Sequence, residues 1–311
     1  MAKTESMLIV VDPTAETHPA IERGQTVARD LGLAVELFIC GYSPQLVGSA
    51  LLNADRRERA KRSFLAGHKA RLGQLAAPLR DVGLDVTVSA AWDHPLYEGI
   101  IRQALHCNPR IVVKDTHYHS RLERAFFTNT DWHLIRACPV PLWLIKPERS
   151  FDSPVILASV DPLHDNDKPA NLDGRLLSEA FELADETGGI VHAFHGYNPF
   201  IDPDDPKRAE LAHEQAMQAL AEEFQLPEDR VHVRPGNAVD LLPAIANEIS
   251  ASLVVMGAVS RSRLEHAVVG STAENVLDLL PCDVLIVKPK GYVSPVTFKS
   301  APRGVIYAED A

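Results

Sequence analysis

One segment of the chain occurs twice at a fixed spacing. The sequence VVKDTHYHSRLERAFF at 112–127 returns as VVMGAVSRSRLEHAVV at 254–269, an offset of 142 residues. The same offset relates four further positions: Thr130 to Thr272, Pro139 to Pro281, and Lys146-Pro147 to Lys288-Pro289. Solenoid repeats are only about 20 to 50 residues long, so each copy is predicted to be a complete domain rather than a stackable element.

The repeat divides the 311 residues into two domains and a tail. We predict a first domain at 1–149, a second at 150–290 and a C-terminal tail at 291–311. Each domain is long enough to bury its own core without disulfides. The junction at 148–153 is short and polar, which favours two closely joined domains. The tail lacks helical periodicity, so we expect it to lie over a domain or to be partly disordered.

Short apolar runs alternate with longer amphipathic segments in both copies, a pattern typical of parallel strands covered by helices on both faces. It predicts an α/β protein with two tandem Rossmann-like domains, each a five-stranded parallel sheet flanked by helices. The predicted strands of the first copy are Met7–Asp12, Ala34–Cys40, Asp85–Ala91, Arg110–Lys114 and Pro141–Lys146. Those of the second copy are Val155–Asp161, Ile190–His195, Arg230–Arg234, Leu253–Gly257 and Asp283–Lys288.

Charge and composition narrow the function classes. The formal net charge of -11 disfavours binding to nucleic acid or to an anionic membrane, because both need clustered cations. The four cysteines form no C-x-x-C pair, which favours a reducing compartment. The N-terminus lacks the pattern of a signal peptide and no apolar run approaches about 18 residues, so we expect a soluble, cytoplasmic protein.

The second copy carries a glycine-spaced turn that suits an anion. Gly257 ends a predicted strand, Ser260 follows after two residues, and Gly270-Ser271-Thr272 comes after nine more, opening a helical segment. Ligands of parallel sheets bind beyond the carboxyl ends of the strands. A glycine there lets backbone N–H groups approach a phosphate, and a helix start adds free N–H donors and its dipole. The turn is therefore a candidate phosphate site.

In these residues the chain resembles the universal stress protein family, whose signature is Gly, two residues, Gly, nine residues, then Gly and Ser or Thr. Asp12 and Asp161, which close the first strand of each copy, and the run Arg234-Pro235-Gly236-Asn237 strengthen the resemblance. It covers essentially the whole chain except the tail and implies two domains of the adenine nucleotide alpha hydrolase-like type. It further implies a cytoplasmic binding protein with a role in stress resistance or its regulation.

The resemblance also implies a pocket for ATP or a related adenine nucleotide in the second domain. In it, Asp161 lies near the adenine or ribose edge, Gly236 lines the nucleoside pocket, and Gly257, Gly270, Ser271 and Thr272 approach the phosphates. Ser260 stands where the family has its second glycine. A serine avoids positive φ and its Cβ narrows the approach to a ligand, so we expect weakened nucleotide binding, not lost binding.

The first copy departs further from the signature. Asp115 replaces the first glycine, Tyr118 the second, and Thr128-Asn129 the Gly-Ser step. A carboxylate about 4 Å from a phosphate costs about 1 kcal/mol in water and several times more in a partly desolvated cleft. Lys114 is expected to neutralise Asp115, and the pair would then fill the place of the anion. We therefore predict no conventional ATP site in residues 1–147.

Other readings of the same residues stay open. Asp115, His117 and His119, with His94 and His133 expected in neighbouring loops, are the densest group of candidate metal ligands, but their order matches no zinc signature and surface histidines explain them better. Asp12-Pro13 and Asp161-Pro162 are also plain turn signals that end a strand. Arg121 and Arg263, in the two SRLE segments, either enter a helix or face the clefts as anion partners.

The chain also lacks the signatures of a dedicated hydrolase: it has no G-x-S-x-G elbow, no P-loop lysine motif and no H-E-x-x-H. Binding without turnover, or at most slow ATP hydrolysis, is the expectation. The first alternative keeps the fold but uses remodelled clefts for another small molecule or a protein partner. Apolar residues Ala125–Phe127 beside the first cleft favour an apolar ligand, although core packing also accounts for them. The second alternative is a nucleotide-dependent enzyme of a related fold, such as a nucleotidyl transferase.

The last predicted strand of each copy is apolar: PLWLIKP at 141–147 and DVLIVKP at 283–289. Exposed edge strands of this composition seek partners. The family pairs separate single-domain chains through this strand, so the resemblance implies that the two domains of this chain pair with each other. A homodimer of the whole chain remains an open alternative.

Overall fold

The structure is a computed structural model that describes residues 5–48, 53–119, 124–146, 151–163, 171–199, 206–258, 276–298 and 306–307. The first copy contains β1 (Ser6–Val10), α1 (Pro19–Asp30), β2 (Ala34–Gly41), α2 (Pro44–Gly48), α3 (Ala54–Asp81), β3 (Val86–Trp92), α4 (Leu96–Cys107), β4 (Ile111–Asp115), β5 (His117–His119), β6 (Arg124–Phe126), α5 (Asn129–Ala137) and β7 (Leu142–Ile145). The remaining elements are β8 (Val155–Ser159), α6 (Leu172–Thr187), β9 (Ile190–Tyr197), α7 (Pro206–Glu223), β10 (Val231–Pro235), α8 (Ala238–Glu248), β11 (Leu253–Gly257), β12 (Asp283–Val287) and β13 (Ile306–Tyr307).

The ten predicted strands are all present, and both ends of each lie within two residues of the predicted bounds. The prediction of a tandem Rossmann-like α/β fold is therefore confirmed. The strands formed where the sequence has short apolar runs, and β4 and β11 are buried along their length up to the final residue. Parallel strands are covered on both faces, which is why these runs read as continuously apolar.

The described residues form two compact units. The first contains the described parts of 1–115 and 128–142 together with the residues from 294 onward, and the second contains 116–127 and 143–293. These units do not follow the repeat boundary, because Trp143–Ile145 of β7 group with the second unit. The predicted boundary between 149 and 150 and the separate tail from 291 stay predictions.

In the first unit, four parallel strands lie in the order β4-β1-β2-β3. Met7 of β1 pairs with Ile111 of β4, which places the ends of these two strands side by side. The tail completes the other edge, where β13 runs antiparallel to β3 and Ile306 pairs with Trp92. Helix α1 follows β1, and β1 is the parallel neighbour of β4, so the first turn of α1 lies beside the C-terminal end of β4.

The tail is tied to the first unit by side chains as well. Arg102 of α4, which is fully buried, donates from Nε to the carbonyl oxygen of Thr297 at 3.2 Å, and Ser294 Oγ donates to the carbonyl oxygen of Ala137 at 2.7 Å. The other guanidinium nitrogens of Arg102 pair with the carboxylates of Asp93 and Glu98. These two hydrogen bonds hold residues 294–298 against α4 and the end of α5.

In the second unit, five parallel strands lie in the order β10-β9-β8-β11-β12. Helix α6 ends at Gly188, which adopts a left-handed conformation with φ +65° and donates its N–H to the carbonyl oxygen of Ala184. Helix α7 follows β9 and spans Pro206–Glu223. No helix among the described residues combines the length and the hydropathy that a membrane span requires.

Candidate functional site

The candidate cleft of the second unit lies at the C-terminal ends of β8 and β11, where α6 begins. Gly257 is the last residue of β11, and a Cβ at this position would lie 2.9 Å from Cδ2 of Leu172, the first residue of α6. The missing side chain therefore lets the start of α6 lie against the strand end. This is the arrangement in which parallel sheets bind anionic ligands.

The start of α6 is linked to the end of β8. The Asn171 N-cap is left-handed, with φ +70°, and its side chain forms no capping hydrogen bond. In the first turn, Asp173 Oδ1 accepts a hydrogen bond of 3.0 Å from the backbone N–H of Asp161. The Asp161 side chain itself is 30% exposed, so the structure places this predicted site residue at an accessible strand end.

Gly236 lies just beyond β10, at the same edge of the sheet. Its backbone φ of +138° lies in a region that residues with a side chain rarely adopt, and its N–H donates to the carbonyl oxygen of Tyr197 at 2.8 Å. The next residue, Asn237, caps α8 by accepting from the N–H of Val239 at 3.1 Å. A glycine at 236 thus has a conformational reason of its own, whether or not a ligand lies beside it.

Four of the predicted site residues lie outside the described residues. These are Ser260, Gly270, Ser271 and Thr272, and Arg263 lies in the same stretch. Arg121 of the first copy also falls outside the described residues, and the side chains of Tyr118, His117, His119 and Ala125 are not described. Of the seven predicted ligand residues, Asp161, Gly236 and Gly257 are therefore the ones whose position is known.

A cluster of imidazoles stands directly behind Asp161, and sequence reasoning missed it. His195 Nδ1 is 3.1 Å from the carbonyl oxygen of Val160 and 3.7 Å from Asp161 Oδ1. His195 Nε2 is 2.8 Å from Nδ1 of His213 on α7, and both histidines are more than nine-tenths buried. His213 also stacks on Tyr197, with ring centroids 4.6 Å apart.

Two carboxylates of α7, Glu210 and Glu214, lie near Tyr197. Burial, and then the nearby carboxylates of Glu210 and Glu214, raise the pKa of Tyr197, which also hydrogen-bonds with Glu210. The signal available in the sequence was weak: His195 and Tyr197 are two residues apart at the end of a predicted strand and so share one face. The sequence alone does not show that His213 contacts them, because that contact depends on how α7 packs against β9.

The equivalent strand end of the first unit is occupied by a carboxylate. Asp115, at the position of Gly257, accepts a 2.6 Å hydrogen bond from the backbone N–H of Ala20 in the first turn of α1. Burial raises the pKa of Asp115 to about 6, and the charges of Asp12 and Glu22 act in the same direction against the Ala20 N–H and Lys114. The carboxylate thus binds the helix N-terminus at which an external anion would bind.

The expected ion pair between Lys114 and Asp115 is not the one that forms. The buried amine of Lys114 lies 2.8 Å from Oδ1 of Asp131 and donates to the carbonyl oxygen of Asp115, also at 2.8 Å. Asp131 is fully buried and closes a capping box with Thr128 at the start of α5. Helix α5, which follows β4 after the antiparallel strands β5 and β6, brings a second carboxylate to the lysine, while the charge of Lys114 still lowers the pKa of Asp115.

The candidate metal ligands of the first copy separate into different contacts. His94 stacks on Tyr42, with ring centroids 4.2 Å apart, and His133 stacks on Tyr97 at 4.3 Å. In the described part of the chain, no three histidine, cysteine, aspartate or glutamate side chains come together as a metal site would require. The hypothesis therefore finds no support in His94 and His133.

Fold and strand-end clefts together define a tandem Rossmann-like α/β protein. The sequence profile of the universal stress protein family matches residues 3–146 and 154–288. The chain belongs to this family, and the resemblance noted in its sequence is confirmed.

The chain matches its relatives along nearly their whole length. The chain is 31% identical to universal stress protein E of Escherichia coli K12, over 95% of this chain and 98% of that protein, and 26% identical to a universal stress protein E homolog of Haemophilus influenzae, over 92% and 98%. Among solved structures, a Pseudomonas aeruginosa UCBPP-PA14 protein assigned to the universal stress proteins is 26% identical, covers 92% of this chain and 94% of its own, and has a TM-score of 0.75.

Proposed function

We propose that the chain acts as a stress-resistance or regulatory protein by binding ATP or a related adenine nucleotide in the second cleft. The ligand residues are Asp161, Gly236 and Gly257, together with Ser260, Gly270, Ser271 and Thr272 beyond the described residues. One observation carries the proposal. The two equivalent strand ends differ, since Asp115 holds the start of α1 in the first unit whereas Gly257 leaves the start of α6 without a carboxylate from the strand.

The difference decides which cleft suits a phosphate. In the first unit, the Ala20 N–H is already bonded to Asp115 Oδ1, so a phosphate would have to displace a carboxylate and then bear its repulsion. In the second unit, the carboxylates of Asp161 and Asp173 lie at the end of β8, which is the edge proposed for the adenine or ribose. The phosphates are assigned to Gly257 and the residues that follow it, and a helix N-terminus there favours negative charge.

The proposed mode of action is binding without dedicated turnover, with ATP hydrolysis slow at most. Asp161, the proposed ligand contact, is a strand-end residue whose N–H is bonded to Asp173, and no nucleophile motif accompanies it. Two alternatives remain: remodelled clefts that take another small molecule or a protein partner, and a nucleotide-dependent enzyme of a related fold.

We also propose that the two repeats pair through their last strands within one chain. Support comes from Asp283, the first residue of β12, which is fully buried and accepts from Nε1 of Trp143 at 3.1 Å and from the N–H of Lys146 at 2.7 Å. A homodimer of the whole chain is compatible with this pairing. The cysteines are free thiols, which suits the proposed cytoplasmic location.

The test combines ligand identification with calorimetry. Small molecules released from the purified protein are identified by mass spectrometry, and ATP is titrated into wild type, Gly257→Asp and Gly257→Ala. The alanine variant is the matched control, since it adds a Cβ near Leu172 without a charge. We expect the aspartate to weaken affinity at least about fivefold more than the alanine, because a like charge at about 4 Å costs at least about 1 kcal/mol.

Two further variants sharpen the test. Gly270→Asp places the same charge at the proposed helix start beyond the described residues and should also weaken binding. Asp115→Gly, the reciprocal change in the first copy, should leave the affinity of the second cleft unchanged. Absence of any nucleotide in the released molecules and of any heat with ATP would refute the proposal and favour the alternative of remodelled clefts.

A further inference from the structure

The outer strand of the second unit is short. Among the described strands, β10 pairs with β9 alone, from Val231 opposite Ala193 to Pro235 opposite Tyr197. Pro235 has no N–H that it could donate to a neighbouring strand. The next residue, Gly236, donates its N–H to the carbonyl oxygen of Tyr197, where the paired stretch ends. Because so few backbone hydrogen bonds hold this edge, contacts between side chains of the two strands matter for its stability.

One such contact is a pair of imidazoles. His192 Nδ1 on β9 lies 2.9 Å from His232 Nε2 on β10, and the planes of the two rings are inclined by 14°. His232 is buried and His192 is half-buried. At this distance one proton has to lie between the nitrogens, because two lone pairs or two N–H groups facing each other would repel. The pair is therefore an N–H···N hydrogen bond between the strands.

The closed pair accepts fewer protons than two separated histidines. Two neutral imidazoles carry one proton each, and one of these protons forms the hydrogen bond between the rings. A first additional proton leaves the bond intact, because one of the two outer nitrogens still has a lone pair. A second additional proton places an N–H group on both facing nitrogens and sets two like charges against each other. The pair therefore breaks when both rings become cationic.

The surroundings of the pair also disfavour its protonation. Burial is the largest cause of a lowered pKa in both histidines, and the nearby arginines act in the same direction, whereas the nearby carboxylates act against it. Four charged groups lie near the pair, and they are Asp229 and Arg230 in the turn before β10, Arg234 on β10, and Glu248 on α8. Since the folded pair binds protons more weakly than the separated side chains, closing the pair becomes less favourable as the pH falls through about 6.5.

We propose that His192 and His232 form an acid-sensitive latch, which holds β10 against β9 at neutral pH and lets β10 separate more readily on acidification. The latch goes beyond the proposed nucleotide site and does not depend on it. Separation of β10 exposes the backbone of β9 as a new sheet edge and moves Gly236, which directly follows β10. The second unit thus contains a direct sensor of acidification.

The size of the effect follows from the number of protons that separation takes up. A separated histidine titrates near its ordinary pKa of about 6.5. If the separated strands bind one proton more than the closed pair, the equilibrium constant for separation rises about tenfold between pH 7.5 and pH 5.5. Exchange of the β10 backbone amides with solvent requires this opening, so their protection factors should fall by the same factor.

Hydrogen exchange of the full-length protein measures the opening, followed by mass spectrometry on peptides that cover 231–236 and corrected for the intrinsic effect of pH. Wild type should lose about tenfold protection between pH 7.5 and pH 5.5, and peptides from β8 and β11 should lose less. The double variant His192→Asn with His232→Gln places amide groups near the two bridging nitrogens. An amide pair still forms a hydrogen bond but takes up no proton in this range, so the protection of β10 should stay constant.

The second histidine pair of the same unit provides a matched control. His213 contacts His195, whose side chain points to the other face of β9, because positions 192 and 195 differ by an odd number. The variant His213→Asn should therefore keep the tenfold response of β10. Loss of the response in this variant would overturn the latch, since it would assign the titration to the wrong pair.

Two results in the other proteins would also overturn the latch. One is constant protection of β10 in wild type, and the other is an equal loss of protection in wild type and in the double variant. If the double variant fails to fold, as judged by circular dichroism, the single variant His192→Asn replaces it and should show a reduced response. NMR of wild type needs no substitution: at pH 7.5 it should show spin coupling between His192 Nδ1 and His232 Nε2 across the hydrogen bond, and absence of that coupling would overturn the pairing.

Discussion

The carboxylate of Asp115 should lower the stability of the protein as the pH rises, which is the reverse of the usual effect of a carboxylate that is paired in the folded state. Burial raises its pKa from an ordinary 3.8 to about 6. Each factor of ten in proton affinity corresponds to about 1.4 kcal/mol, so the ionised carboxylate destabilises the folded state by up to about 3 kcal/mol. The penalty is absent below about pH 4, grows as the pH rises to about 6, and is constant above that.

The variant Asp115→Asn removes the charge and keeps an oxygen that can accept from the N–H of Ala20. Relative to wild type, its free energy of unfolding should rise with pH between about 4 and 6 and remain about 1 to 3 kcal/mol higher at pH 7, part of the gain being offset by the loss of a charged hydrogen bond. Urea unfolding followed by tryptophan fluorescence measures this, since Trp92 and Trp132 belong to the first unit.

The control is Asp185→Asn, which changes an exposed carboxylate on α6 and should alter stability by less than about 0.5 kcal/mol. A difference between Asp115→Asn and wild type that is constant from pH 4 to pH 8, or that falls as the pH rises, would refute the reasoning. Such a result would mean that the bond to α1 outweighs the desolvation of the carboxylate.

Three further changes follow from contacts of single residues. Asp131→Ala leaves the buried amine of Lys114 unpaired and should lower the free energy of urea unfolding by about 3 to 5 kcal/mol, and Lys114→Met in the same chain should restore most of it; no rescue would contradict the pairing. Gly236→Ala forces a side chain into φ +138° and should cost about 1 to 3 kcal/mol in thermal unfolding, so an unchanged midpoint would contradict it. Arg102→Met removes the donor to Thr297 and should speed proteolytic cleavage of the tail, as followed by mass spectrometry.

Local patterns in the sequence determined the fold. Short apolar runs separated by amphipathic segments predicted all ten parallel strands, because burial on both faces leaves a signal that each strand carries by itself. The 142-residue offset predicted the tandem organisation, and the glycine of β11 against the aspartate of β4 predicted two unequal clefts.

Tertiary structure alone decided where the charged and titratable groups find partners. Asp115 meets Ala20 from 95 residues away, because the strand order brings β4 beside β1 and so beside the start of α1. Lys114 pairs with Asp131 instead of its neighbour, and His195 meets His213 only because α7 packs back over β9. Such contacts depend on which elements become neighbours in space, and a periodicity that reports burial carries no information about that choice.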